Sequence, residues 1–472
     1  MKKILSGICI ALFSFSAFAL KILDYAAPEE DEFVLYIDAY PWGPAADRAV
    51  LNCGKYIEES ELDYKDFEVS VTYITDQYES SRFAIKKGER KVIGAYLCDA
   101  FGKRIEEKSR YVCVEFEIGE DVPNSNPFEK NIVLKSTVSP VYGLRIKNGK
   151  LDTMNATITD IVSPKAGLFK SAEGGTEELK LKYTYFKPEN KTDKKPLIIW
   201  FHGIAEGMSD EYLPLLGTPA CNLATDLIQS KFENGAHVLV PACPTAWLET
   251  TTVDANGIRI WESVDFDAFE EALSKPIRGL TDFLGVTEEK EKKETTPVAT
   301  VSYYTETVKK LIDDYIKENP DVDTSRIYVG GCSAGGYMTL NMILQYPDFF
   351  AAGFPTCEAY IDSKLKDKDI KVLAKIPLWF VHSKNDEVIK PKKHDEATVA
   401  RIRKAGSKNI HFSYYNDVRD TTGQFKDADG NPMVFDNHSS WIYTLNNYPA
   451  ENGITLFEWL AAQKNAEAAI KL

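Results

Sequence analysis

Beyond its first twenty residues, the 472-residue chain has no apolar run approaching the roughly 20 consecutive residues that cross a bilayer, so no further membrane span is expected. Positive charge is scarce as well: 56 Lys and Arg stand against 71 Asp and Glu, a formal charge of −15. Such a surface repels phosphate backbones and excludes nucleic acid as a partner. No CxxC pair and no Cys/His spacing of the zinc kind occurs, so neither a metal nor another cofactor is implied. There is no internal repeat. Histidine is rare, six residues in all, which leaves a short list for any chemistry that needs an imidazole.

What is present begins with "MKKILSGICIALFSFSAFAL", where Lys2 and Lys3 precede an apolar run and the small-x-small triplet Ala17-Phe18-Ala19. This reads as a cleaved signal peptide over residues 1–19, and a secreted or periplasmic protein is expected. "LSGIC" departs from a lipoprotein box, in which the cysteine directly follows the glycine. Past the leader remain Cys53, Cys98, Cys113, Cys221, Cys243, Cys332 and Cys357, read as buried thiols with room for one or two disulfides.

The length exceeds one ordinary core, and the apolar pattern divides it in two. From about 32 to 148 the period is two: Phe67, Val69, Val71 and Tyr73 share one face, as do Val112, Val114, Phe116 and Ile118. These predict antiparallel strands of a β-sandwich of immunoglobulin-like size over residues 20–150, without the Cys-Trp-Cys spacing of an antibody domain. From 151 to 472, near-continuous apolar strands such as "PLIIWFHG", "AHVLVPACP", "RIYVGG" and "IPLWFVHS" alternate with helical stripes such as Val308, Leu311, Ile312, Tyr315 and Ile316. That alternation predicts an α/β domain with a mostly parallel, doubly wound sheet. Residues 245–300 fit neither rhythm and read either as a cap over a pocket or as an ordinary helical insertion. Trp247 and Trp261 in that segment, with Trp441, are candidate substrate contacts.

Within "IYVGGCSAGGYMTL", Gly331-Cys332-Ser333-Ala334-Gly335 forms G-x-S-x-G after a strand and before a helix. A sharp strand-to-helix turn there would present the Ser333 hydroxyl at the sheet's carboxyl edge, with the Ala334 amide at the helix start. A serine needs a histidine to take its proton, and the histidine needs a carboxylate to fix its tautomer. In chain order the acid should come next, and Asp386 lies just past the strand Leu378 to Val381, with Asp436 or Glu387 as substitutes. His438, in "FDNHSSW", is the candidate base. Of the others, His202 reads as holding the loop that carries a second oxyanion donor, the Ile204 amide, and His382 as shaping the acid loop. His237 and His411 read as structural, and His394 lies in a charged stretch read as surface.

Taken together, "KPLIIWFHGIAEG", "VLVPACP", "RIYVGGCSAGGYMTLNMILQYPDFFAAGFPTC", "IPLWFVHSKNDEVI" and "NHSSW" resemble the exported α/β-hydrolase esterases and predicted peptidases related to feruloyl esterases and to the catalytic domain of prolyl oligopeptidases. The amino-terminal part is similar to the immunoglobulin-like domain that precedes some of them. The resemblance implies Ser333 as nucleophile, Asp386 as acid and His438 as base. It departs from the pattern at Ser383, where the family has glycine, and at Pro391, displaced by Lys390. The expectation is an α/β-hydrolase fold and a serine esterase acting on small-molecule or polysaccharide-linked esters, such as short acyl, acetyl or feruloyl esters. The alternatives are a peptidase of the prolyl oligopeptidase type, or a non-catalytic carbohydrate-binding or adhesin protein on a hydrolase scaffold. Association through the amino-terminal domain into a homo-oligomer is a further expectation.

Overall fold

A computed structural model of the chain describes residues 22–77, 82–131, 136–138, 141–146, 155–189, 193–204, 206–207, 210–253, 259–261 and 301–465. The expected leader at 1–19 and residues 254–258 and 262–300 of the expected insertion lie outside these. No described helix is long and apolar enough to cross a membrane.

The first part is built from β1 (Ile22–Leu23), β2 (Glu32–Tyr40), β3 (Gly43–Ile57), β4 (Phe67–Gln77), β5 (Arg82–Arg90), β6 (Val92–Cys98), β7 (Ser109–Phe116), the small pair β8 (Glu129–Asn131) and β9 (Ser136–Val138), β10 (Val141–Ile146) and β11 (Asn155–Val162). The period-two reading holds in detail: Phe67, Val69 and Val71 are buried while Glu68 and Ser70 are exposed. The strands follow one hydrogen-bonded order, β5-β4-β10-β11-β2-β3-β7-β6, which curls until β4 meets β6. Two pairings depart from the antiparallel expectation, because β11 runs parallel to both β2 and β1. β10 pairs only with Asn155–Thr157, which leaves the rest of that edge of β11 open, and Ile22 and Leu23 fill it beside Ile161 and Val162. β11 belongs to this first sheet although it lies past residue 150, so the chain passes from one sheet to the next at 163–169, later than the change of rhythm suggested.

The second part continues with β12 (Lys170–Gly175), β13 (Lys180–Phe186), β14 (Lys195–Phe201), β15 (His237–Pro241), a ribbon of β16 (Glu249–Val253) and β17 (Arg259–Trp261), α1 (Thr305–Glu318), β18 (Val322–Cys332), α2 (Ala334–Gln345), β19 (Ala352–Thr356), α3 (Asp367–Leu373), β20 (Leu378–Ser383), α4 (Asp395–Lys404), β21 (Ile410–Tyr415), a ribbon of β22 (Val418–Arg419) and β23 (Val434–Phe435), α5 (Trp441–Leu445) and α6 (Leu456–Ala461). The sheet order is β12-β13-β15-β14-β18-β19-β20-β21, antiparallel at β12, β13 and β15 and parallel from there on. Every residue of β14 is buried, as its unbroken apolar run requires of a strand covered on both faces. α1 buries Val308, Leu311, Ile312 and Tyr315, and closes the opposite face with Lys309–Asp313 and Lys310–Asp314 pairs one turn apart.

One apolar core runs through both parts, joining Phe33, Leu35 and Val114 to Trp200, Phe354 and Trp459. At the tip of the β2–β3 hairpin, Tyr40 and Trp42 stack at 5.4 Å, and Trp42 meets Phe425 edge-on at 4.8 Å and Phe435 at 6.3 Å. The β22–β23 excursion that carries those two phenylalanines leads directly into residues 436–438.

Candidate active site

β18 ends at Cys332 and α2 begins at Ala334, so Ser333 alone makes the turn, with φ 54° and ψ −118°. That region is costly for a residue with a side chain and persists only where the surroundings enforce it. Here they do: the Ser333 amide donates to Thr356 O at 3.0 Å, and its carbonyl accepts from Tyr337 and Ala359, each at 3.1 Å. The flanking glycines allow the close approach. A Cβ on Gly331 would lie 2.6 Å from Phe201 O, and one on Gly335 only 2.0 Å from the same atom and 2.6 Å from His202 O. The end of β14 and the first turn of α2 therefore touch backbone to backbone, which sets the Ile204 loop beside the Ala334 helix start.

His202 secures that loop. Its Nε2 accepts the Cys243 amide at 2.9 Å, so the proton sits on Nδ1 and is donated to Gly203 O at 2.6 Å. Its carbonyl accepts the Trp247 indole N–H at 3.0 Å. Trp247 is fully buried, which corrects its assignment as a substrate contact: it braces the loop of His202 to Ile204 from below. The Trp261 side chain lies outside the described residues. Trp441 is half-buried and meets the His438 ring edge-on at 5.2 Å.

His438 Nδ1 is 2.8 Å from Asp386 Oδ2, across 52 residues of sequence. Of the three carboxylates weighed for this place, only Asp386 bonds the imidazole: Asp436 accepts the backbone amide of His438 at 2.7 Å, and Glu387 is exposed. Asp386 Oδ1 accepts the amides of Val388 and Ile389, both at 2.9 Å. Burial pushes the Asp386 carboxyl up, but His438 and then His382 outweigh it and hold it far below the usual carboxylate range. Ser383, in the position of the expected glycine, ties the acid loop to the histidine loop by donating to Asn437 at 3.1 Å. Among the described residues nothing hydrogen-bonds Ser333 Oγ, and Ser333 retains 5 % of its exposure.

Cys357, on a strained backbone of φ 36°, lies against the Ser333 amide and has its sulfur within 4.8 Å of ligand atoms of Asp386 and His438. Among the described residues this is the group able to hold a metal ion. Burial, then Asp386, push its thiol well above the ordinary range, so it is a neutral thiol and a poor metal ligand. The other described cysteines are also unpaired, and burial pushes each thiol up; the room left for disulfides is unused among them.

Two features lay beyond the sequence reading. His394 is buried, not on the surface, and so is its neighbour Asp395. His382 does more than shape the acid loop, because Nε2 lies 3.0 Å from Asp386 Oδ2 and Nδ1 lies 2.8 Å from Asp395 Oδ2. The only signal in the sequence was a histidine four residues before the acid at a strand end.

Residues 35–185 match the family described as esterase Ig-like N-terminal domain, and residues 282–424 match the phospholipase/carboxylesterase family, a span that contains Ser333 and Asp386. A thermostable esterase of known crystal structure is 21 % identical and superposes with a TM-score of 0.64 over 92 % of this chain and 99 % of its own, which establishes a common fold across both parts. A poly(3-hydroxyalkanoate) depolymerase C from Paucimonas lemoignei is 30 % identical over 160 residues, 27 % of this chain. The chain spans only 36 % of the length of that curated relative.

Proposed function

We propose, from the premise that this chain joins an esterase immunoglobulin-like domain to an α/β-hydrolase domain of the carboxylesterase kind, that it hydrolyses carboxylic esters through an acyl-enzyme on Ser333. The observation that carries the reading is the 2.8 Å contact between His438 Nδ1 and Asp386 Oδ2, with Cys357 lying both against the amide of the strained Ser333 turn and within 4.8 Å of ligand atoms of that pair.

In this reading His438 Nε2 takes the Ser333 proton as Oγ attacks the ester carbonyl, and Asp386 holds Nδ1–H and balances the imidazolium. The Ala334 and Ile204 amides receive the developing oxyanion, at about 3 kcal/mol of transition-state stabilisation for each donor. His438 then protonates the departing alcohol and activates water against the acyl-enzyme. Catalytic hydrogen bonds in free enzymes are commonly long and tighten on substrate, which accommodates a Ser333 hydroxyl without a partner. Trp441 flanks the base and offers an apolar wall to the acyl or alcohol group. With the leader removed, the enzyme works outside the cytoplasm on acyl, acetyl or feruloyl esters of the plant-polysaccharide kind, and the polyester named for its relative belongs in the same test.

Purified protein is assayed on p-nitrophenyl acetate, feruloyl and acetylated sugars, a 3-hydroxyalkanoate polyester and proline-containing peptides, and probed with a fluorophosphonate. The expected result is ester turnover and a covalent label, both lost in Ser333→Ala. Preferential peptide cleavage, or a label that survives Ser333→Ala, overturns the assignment.

A further inference from the structure

His382 is buried completely and lies between two carboxylates at hydrogen-bond distance, with one ring nitrogen toward each. A neutral imidazole has one N–H and can satisfy only one of them; two carboxylate partners require both nitrogens to donate. The arrangement does not end there. Asp395 Oδ1 and Glu358 Oε1 are both buried without a donor, and the two carboxyl groups are close enough to act on each other, an arrangement that a proton on one of them relieves. Glu358 supplies it, since burial and then Asp395 keep its carboxyl well above the ordinary range, while its Oε2 accepts the Tyr360 amide. A continuous row results: His438, Asp386, His382, Asp395, Glu358.

We propose that His382 is a positioning residue of the ester-hydrolysing site, a doubly protonated imidazole clamped between Asp386 and Asp395 that aims Asp386 Oδ2 at His438 and tempers that carboxylate's hold on the base. The proposal rests on the reading of Ser333, Asp386 and His438 as the reacting groups. Asp386 Oδ2 receives two imidazoles, 2.8 Å and 3.0 Å away, while the Val388 and Ile389 amides pin Oδ1, so the carboxylate cannot turn from His438. In charge, two carboxylates and one imidazolium leave a single negative charge, which His438 neutralises when it accepts the serine proton. Were His382 neutral, the uncompensated pair would hold a proton on His438 at higher pH and idle the base.

Several elements pack around His382, and β21 brings Tyr414, which burial keeps as a neutral phenol, opposite it in the sheet. The acid loop supplies Asp386, and His438 lies beyond it on the loop before α5. The start of α4 supplies Asp395 and His394, whose Nδ1 is 2.9 Å from Lys390 O and which burial keeps toward its neutral form. The segment after β19 supplies Glu358 as a neutral acid and Cys357 as a neutral thiol. Burial works against a charge on His382, but Asp395 and Asp386 together raise it from 6.5 to about 9.

The test uses the full chain and Asp395→Asn, which keeps the shape while removing the charge that holds His382 protonated. With Asp395 uncharged and His382 neutral, Asp386 still faces His438 with one negative charge but without the imidazolium that tempered it. The pH profile of kcat/KM on p-nitrophenyl acetate should therefore keep its form while the rise in rate moves up by up to about one pH unit, the difference at an effective dielectric near 20 between losing a positive charge one ring away and a negative charge beyond it. A merely structural role would lower the plateau and the melting temperature and leave the rise where it was; that result in a folded variant overturns the proposal. A second measurement needs no variant. In 15N-histidine-labelled wild-type protein, both His382 ring nitrogens should show the protonated signature at pH 7 and lose it near pH 9. A neutral His382 at pH 7 overturns the proposal even if Asp395→Asn fails to fold. Loss of the Ser333 assignment would appear instead in the fluorophosphonate experiment and would leave the nitrogen spectrum unchanged.

Discussion

Replacing Gly335 by alanine tests whether the close approach of β14 and α2 sets the reaction geometry. The new methyl carbon would lie 2.0 Å from Phe201 O, where real contacts of this kind essentially never fall under 3.0 Å, so the strand end and the helix start must part by about 1 Å. The atoms it would strike all belong to backbone, and no side chain can turn aside to relieve the conflict. The two amides assigned to the oxyanion, Ile204 and Ala334, stand on opposite sides of this junction. A misplacement of about 1 Å costs about 100-fold in rate, and loss of one oxyanion donor costs about 3 kcal/mol, so kcat should fall by about 100- to 1,000-fold with KM nearly unchanged. Overpacking should also cost about 1–3 kcal/mol of stability. Gly353→Ala is the control: its methyl would meet Ile343 Cδ1 at 2.7 Å and Leu378 Cδ2 at 2.9 Å, the ends of flexible side chains away from the oxyanion loop. It should lose stability on a similar scale and keep kcat within about threefold. Steady-state kinetics on p-nitrophenyl acetate and thermal unfolding of both variants decide the matter. A folded Gly335→Ala enzyme with kcat within threefold of wild type, or equal losses in both variants, would refute the reasoning.

Asp386→Asn should lower kcat by about 1,000- to 10,000-fold with little change in KM, because an amide can neither fix the His438 tautomer nor balance its charge; a loss under tenfold would remove Asp386 from the mechanism. For His382, the folded value lies above the ordinary one, so its contribution to stability is complete below about pH 6.5 and is lost as pH rises through about 9, about 3 kcal/mol in all. Urea unfolding of wild type and His382→Gln should accordingly show a gap that narrows by about that amount between pH 6 and pH 10, and a gap independent of pH would mean a neutral imidazole. Trp42→Ala should cost about 2–3 kcal/mol and lower kcat severalfold, since Trp42 packs on Phe425 and Phe435 in the excursion that leads to His438. Unchanged melting and kcat would show that the amino-terminal part does not support that loop.

Local pattern carried the elements whose physics is local. The alternation at Phe67, Val69 and Val71, the stripe of α1 and the break after Cys332 are set by which side chains a strand or helix must bury, and the structure places them as the pattern requires. The parallel pairing of β11 with β1 and β2 could not be read that way, because it joins strands more than a hundred residues apart and depends on which edge β10 leaves open. Trp247 and His394 were misread for a related reason: an aromatic in an irregular segment and a histidine among lysines look exposed until the backbone around them closes.

By itself, then, the amino-acid order determined two successive rhythms, a serine held in a glycine-flanked turn and a short set of histidines and acids downstream of it. Only the tertiary structure decided which acid meets which imidazole, and that Asp386 serves two of them. The reason is that a hydrogen bond of 2.8 Å between loops 52 residues apart, and the 3.0 Å contact of His382 on the same carboxylate, are fixed by the packing of β20, α4 and α5 around them, and no spacing along the chain encodes a distance in space.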